Sequence, residues 1–222
     1  FERKRNDRAR PNATFGVGAS ETSGVAQNAQ TAATTWASPA DAAAWFINTK
    51  YSQLGGNGGF LGAAQTGINV CPDGVGYYRH FAGGSIYYHP HTGAHEVHGD
   101  IRAKWAGMGW ERSPLGYPVT DERDGAHPSA RFSRFQGGAI YWHPNSGSRE
   151  VHGAIYRRYQ QLGGDAGFLG CPLTDETATP DQAGRFNHFE GGSIYWKPSL
   201  SAHEVHGLIR QRWADSGWER NA

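Results

Sequence analysis

Cysteine is nearly absent: the 222 residues contain two, Cys71 and Cys171, and a single methionine. Two cysteines cannot build a disulfide framework, and these lack metal-finger spacing. One Cys71–Cys171 bridge remains open, against two independent buried thiols. It would close a loop of about 100 residues and contribute roughly 4–5 kcal/mol in the chain-entropy treatment. Charge of one sign is also missing, with 21 Lys+Arg against 20 Asp+Glu. That removes the electrostatic argument for nucleic acid. No apolar run nears the roughly 18 residues of a membrane span. The chain starts at Phe1 with no signal peptide, as expected of a processed mature protein or an excised fragment. Walker loop, dinucleotide fingerprint and Gly-x-Ser-x-Gly elbow are all absent.

What the chain has in excess is glycine, 32 residues, with 13 % aromatics, a composition of tight turns carrying Tyr/Trp-rich strands. It also has a period. Ile47, Ile101, Ile155 and Ile209 are 54 residues apart, and Leu61-Gly62, Leu115-Gly116 and Leu169-Gly170 keep the same step. So do Gly83-Gly84, Gly137-Gly138 and Gly191-Gly192, and then His98-Gly99, His152-Gly153 and His206-Gly207. A fixed period through three copies marks a modular array. Arrays are commonly binding or building surfaces, since a catalytic group is needed once, not three times.

Residues 1–38 differ from the rest: five basic residues within the first ten, then a Gly/Ala/Ser/Thr-rich stretch. The expectation is a flexible basic arm, which gives self-association with other copies one route. Ser38-Pro39-Ala40-Asp41 reads as a helix start, with Ser at N-cap and Pro at the first helical position. Ile47, Tyr51 and Leu54 supply the apolar face, and Gly55-Gly56 ends it. Ser85–His89, Ala139–His143 and Ser193–Lys197 alternate as strands, and Glu96-Val97-His98 and its equivalents read as return strands. The turns Pro90–Gly93 and Pro144–Gly147 carry glycine where positive φ is needed. The third, Pro198–Ser201, has lost it.

These elements give an α+β repeat protein of three 54-residue helix-plus-β-hairpin units. The repeat domain spans 39–222, as 39–100, 101–154 and 155–208, with 209–222 as a capping helix.

The blocks Phe-x-Gly-Gly-x-Ile-Tyr, Val-His-Gly-x-Ile and Leu-Gly-x-Pro-x-Thr-Asp-Glu resemble the LGFP repeat over residues 47–222. Leu115–Glu122 fits best, Leu169–Glu176 follows, and Leu61–Thr66 lacks the Pro and the acidic pair. The resemblance implies an actinobacterial cell-envelope protein, a secreted chain, and repeats appended to enzymes as tethers to wall polysaccharide. It also implies a propeller-like arc or ring, here closed by the fourth helix.

Three chemistries compete for the polar residues. His98, His152 and His206 would need a common axis to share a zinc ion, so the expectation is that each bonds a nearby backbone group or its own repeat's Glu96, Glu150 or Glu204. The pairs Asp121-Glu122 and Asp175-Glu176 are adjacent rather than placed across a sugar, as glycosidases require. No catalytic group, metal or cofactor is therefore expected. The third chemistry is stacking on sugars. Ile86/Tyr88, Ile140/Trp142 and Ile194/Trp196 are assigned to packing, leaving Tyr87, His89, Tyr141, His143, Tyr195 and Lys197 as the glycan-binding strip. The leading reading is a non-enzymatic module holding an arabinogalactan-like polysaccharide through equivalent weak sites. The alternatives are a self-assembling tile docked through residues 1–38, and the appended domain of an envelope hydrolase or acyltransferase.

Overall fold

A computed structural model describes residues 36–218; most of the basic arm lies outside this range. The helix expected after Ser38 is α1, Pro39–Gln53, with the Ser38 side chain accepting from the Asp41 N–H at 3.2 Å. Helices α2 (Gly99–Met108), α3 (Gly153–Gln161) and α4 (Gly207–Asp215) follow at the 54-residue step. Each begins directly from a strand, with no loop. Gly99, Gly153 and Gly207 make that corner with φ of +52°, +60° and +58°, a region that suits glycine.

Each repeat carries more sheet than a hairpin. The first holds β1 (Asn69–Val70), β2 (Tyr77–His80), β3 (Gly84–His89) and β4 (Gly93–His98). The second holds β5 (Arg123–Asp124), β6 (Arg131–Arg134), β7 (Gly138–His143) and β8 (Gly147–His152). The third holds β9 (Thr177–Ala178), β10 (Arg185–Phe189), β11 (Gly192–Lys197) and β12 (Ser201–His206). All three are four-stranded antiparallel meanders in sequence order. The helix-plus-hairpin unit is corrected accordingly. A lone hairpin is marginal, and the two extra strands widen the surface a helix can cover.

The three hydrophobic cores show how the layers alternate. The first joins Ile47 of α1 to Ile86 and Tyr88 on one face of the first sheet. The next joins Tyr87 and Val97, on the opposite face, to Ile101 and Trp105 of α2 and to Ile140 of the second sheet. The last repeats that arrangement with Tyr141, Val151, Ile155, Tyr159 and Ile194. The order is therefore helix, sheet, helix, sheet, helix, sheet, helix, and α2 and α3 each serve two sheets. The lost turn glycine has a structural counterpart: Ser201 takes φ +66° where Gly93 and Gly147 have +86° and +69°.

The last helix covers the third sheet as expected, but its outer face is not polar. Its inner side meets the third sheet, Trp213 lying 4.7 Å from Tyr195. On its outer side Ile209 is 77 % exposed, whereas Ile101 and Ile155 are each 1 % exposed.

Candidate functional site

The strip of rings is not a surface. Tyr87 and Tyr141 are 3 % and 2 % exposed, packed edge-on against Trp105 at 4.6 Å and Tyr159 at 5.6 Å. Burial pushes both phenols above the usual range, and Tyr141 accepts from Gln160 Nε2 at 3.1 Å. His89 is buried against Tyr117, and His143 is half-buried beside its own turn, accepting from the Asn145 N–H at 3.3 Å. Tyr195 is half-buried like His143, and Lys197 is exposed. The face expected to meet sugar is the one that receives the next helix, which corrects Tyr87 and Tyr141 as stacking residues. Cys71 and Cys171 are separate, free, buried thiols, so the disulfide is not formed. Burial pushes each up to about 12.

The repeated Thr-Asp-Glu is a clamp between repeats. Thr120 and Thr174 hold their own sheet by accepting from the N–H groups of Arg134 and His188. Asp121 reaches back to the first repeat, accepting from the Glu96 N–H at 3.1 Å and from Lys50 at 2.8 Å. Asp175 does the same to the second, accepting from the Glu150 N–H and from Lys104. Burial alone would raise the Asp121 carboxyl, but His95, Lys50 and the Glu96 amide hold it well below the carboxylate range. Glu96 and Glu150 each accept from the following repeat's Glu N–H on one oxygen and hold His98 or His152 on the other, at 2.7 and 2.8 Å. Those carboxylates raise both imidazoles. The expected His–Glu pairs thus form in the first two repeats. In the third, Glu204 instead accepts from Arg158.

Beside the clamp lies a groove of about 260 Å³ lined by His98, Asp100, Glu122, Arg131 and Trp142. Arg131 Nε is 3.0 Å from Glu122, His98 is 3.6 Å from the same carboxylate, and Trp142 Nε1 donates to Asp100 at 2.9 Å. The set recurs 54 residues on as His152, Glu176, Arg185 and Trp196, with His152 and Arg185 at 3.5 and 4.0 Å from Glu176. Burial raises Glu122 and Glu176. A half-exposed indole beside a guanidinium, an imidazole and a carboxylate offers one apolar plane and donors and acceptors around it. The face assignment passed over Trp142 and Trp196; the joint recurrence of His, Glu, Arg and Trp was the signal that could have found them.

Two other clusters have structural explanations. His80 Nδ1 lies 2.7 Å from Ser85 Oγ, and His188 repeats this with Ser193. Both serines are fully buried and accept from Arg102 or Arg210, so no substrate atom reaches them. His127, Cys171 and Glu190 each bring one ligating atom within 4.8 Å of the others and could hold a metal ion. Glu190, however, accepts from the Cys171 N–H as Gln136 does from the Tyr117 N–H, so the framework alone accounts for its position.

The model of the LGFP repeat matches residues 61–113, 115–167 and 169–221. Each match begins at the Leu-Gly before a sheet and ends beyond the following helix. No curated protein matches the chain.

Proposed function

The chain belongs to the LGFP repeat family, and we propose that it is a non-catalytic, secreted module of the cell envelope that holds wall polysaccharide in the grooves between its repeats. The observation that supports this is the duplicated set His98/Glu122/Arg131/Trp142 and His152/Glu176/Arg185/Trp196. A pyranose or furanose presents a C–H face that packs on an indole, and hydroxyls that take hydrogen bonds from guanidinium and carboxylate. The second set keeps His, Glu, Arg and Trp but has Ala154 where the first has Asp100, and two weak sites of this kind raise avidity when one glycan spans both. The alternating layers suit a propeller-like arc, with successive grooves along one side. No helix among the described residues is long and apolar enough to cross a membrane, so attachment would come through the glycan or through other parts of a larger protein.

Co-sedimentation with isolated actinobacterial cell walls, with soluble arabinogalactan as competitor, tests the reading. Retention should be abolished by the competitor, and lost by about tenfold in affinity when Trp142→Ala and Trp196→Ala are combined, each removing one stacking plane. Wild-type protein that stays in the supernatant, or a double variant that binds as well as wild type, would sink it.

A further inference from the structure

The third repeat exposes the receiving half of a joint whose complete form occurs twice within the chain. In the first joint the tyrosine of Leu115-Gly116-Tyr117-Pro118 enters the first repeat, and its hydroxyl donates to Asp73 Oδ2 at 2.6 Å. The other oxygen of Asp73 accepts the N–H groups of Val75 and Gly76. The ring occupies the space that glycine leaves at Gly76, where a Cβ would sit 2.3 Å from the Tyr117 hydroxyl. In the second joint the receiving pair is His127 and Ala130 rather than Asp and Gly, and the inserted residue is the small Cys171. The receiver and the residue it takes change together.

At the third position the receiver matches the first in sequence: Asp181 stands where Asp73 does, with Lys197 3.8 Å from its Oδ2, and Gly184 stands where Gly76 does, its Cβ space bounded by the Trp196 carbonyl oxygen of its own repeat. Asp181 Oδ1 is taken by Thr179 and the Ala183 N–H, as Asp73 Oδ1 is by its own turn. Around them is an apolar cavity of about 280 Å³ lined by Tyr195, Lys197, His203 and Trp213 as well. The rest of the joint is also present. Ile209 is exposed where Ile101 and Ile155 are buried under a following sheet. Arg158, at the position of Lys50 and Lys104, is turned onto Glu204 rather than onto an aspartate from a following unit.

We infer that this face is a docking socket for a further repeat of the second type, one carrying Leu-Gly-Tyr-Pro-x-Thr-Asp-Glu. Its tyrosine enters the cavity and donates to Asp181, its aspartate takes Arg158 and the Glu204 N–H, and its sheet covers Ile209. The chain's own first repeat cannot serve, because Ala63 and Gly67-Ile68 stand where the tyrosine and acidic pair are needed.

The test joins a copy of residues 115–168 after Ala222 of the full chain, which keeps the 54-residue step. Hydrogen exchange is then read on α4 in the parent and extended chains. Exchange of α4 should slow by about tenfold or more on extension, and Asp181→Asn, which keeps the turn acceptor, should return part of that protection. Ile209→Asp should abolish it while leaving the parent unchanged, since the side chain is exposed there. Equal α4 exchange in the two chains would overturn the proposal. So would α4 protection produced by soluble arabinogalactan on the parent but not by the added repeat; that result would make the cavity a sugar subsite.

Discussion

Helices α2 and α4 carry the same two apolar anchors, Ile101 and Trp105 in one, Ile209 and Trp213 in the other, yet only the first pair is buried. Their anchors are the same residue types at the same spacing. The difference is the number of sheets each helix serves: two for α2, one for α4. In a stacked array the stability of an element belongs as much to its neighbours as to itself.

Removing the anchors breaks this contrast most visibly. Trp105→Ala empties a site shared by two sheets and should cost about 3–5 kcal/mol, measured by urea denaturation. Trp213→Ala should cost about 1–2 kcal/mol, as a ring that stays half-solvated. Equal losses would mean that α4 is covered in solution.

The clamps come next. Asp121→Asn and Asp175→Asn each leave a lysine and a backbone amide poorly paired across a joint, and should cost about 1–2 kcal/mol for groups about a third exposed. Glu204→Gln, at the open end, should shift the denaturation midpoint less than either.

The pH response sharpens the same distinction. His98 and His152 are raised above 6.5 by Glu96 and Glu150. Their contribution is therefore fully present below 6.5 and is lost as pH rises through the raised values. Burial lowers His80 and His89, which act oppositely. The informative quantity is thus the difference between wild type and His98→Gln/His152→Gln: wild type should gain stability relative to the variant on going from pH 8 to pH 6. Thermal melts across that range decide it.

The smallest effect concerns the third turn. Ser201 holds φ +66° without being glycine, so Ser201→Gly should stabilise the chain by about 1 kcal/mol. A neutral or unfavourable change would show that the serine compensates elsewhere.

Much of this was legible in the chain itself. The period, the Ser38-Pro39 helix start, the β3–β4 and equivalent hairpins, and the His98–Glu96 and His152–Glu150 pairs all follow from local chemistry. The burial of Tyr87 and Tyr141 did not. Alternation reveals an inside and an outside only when one face of a sheet meets water, and here helices cover both faces of the inner sheets. Strands β2, β6 and β10 were missed because runs such as Arg131–Arg134 are short and polar, and owe their extended form to pairing with β3, β7 and β11. The acids of Thr-Asp-Glu were weighed as catalytic groups because their partners, Lys50 and Glu96, are distant in the chain.

The loopless corners at His98-Gly99, His152-Gly153 and His206-Gly207 bear on resistance to proteolysis. A protease must draw an extended stretch of peptide into its cleft, and at these corners the chain passes from a paired strand into a helical turn without slack. The long segments that lead from Leu115 and Leu169 to the next sheets are tied down by the aspartates described above. Digestion is thereby steered toward the exposed bend at 181–183 of the third repeat, whereas its counterpart around 125–130 is held against Asp165 and Glu190 and belongs to a joint that is cut late.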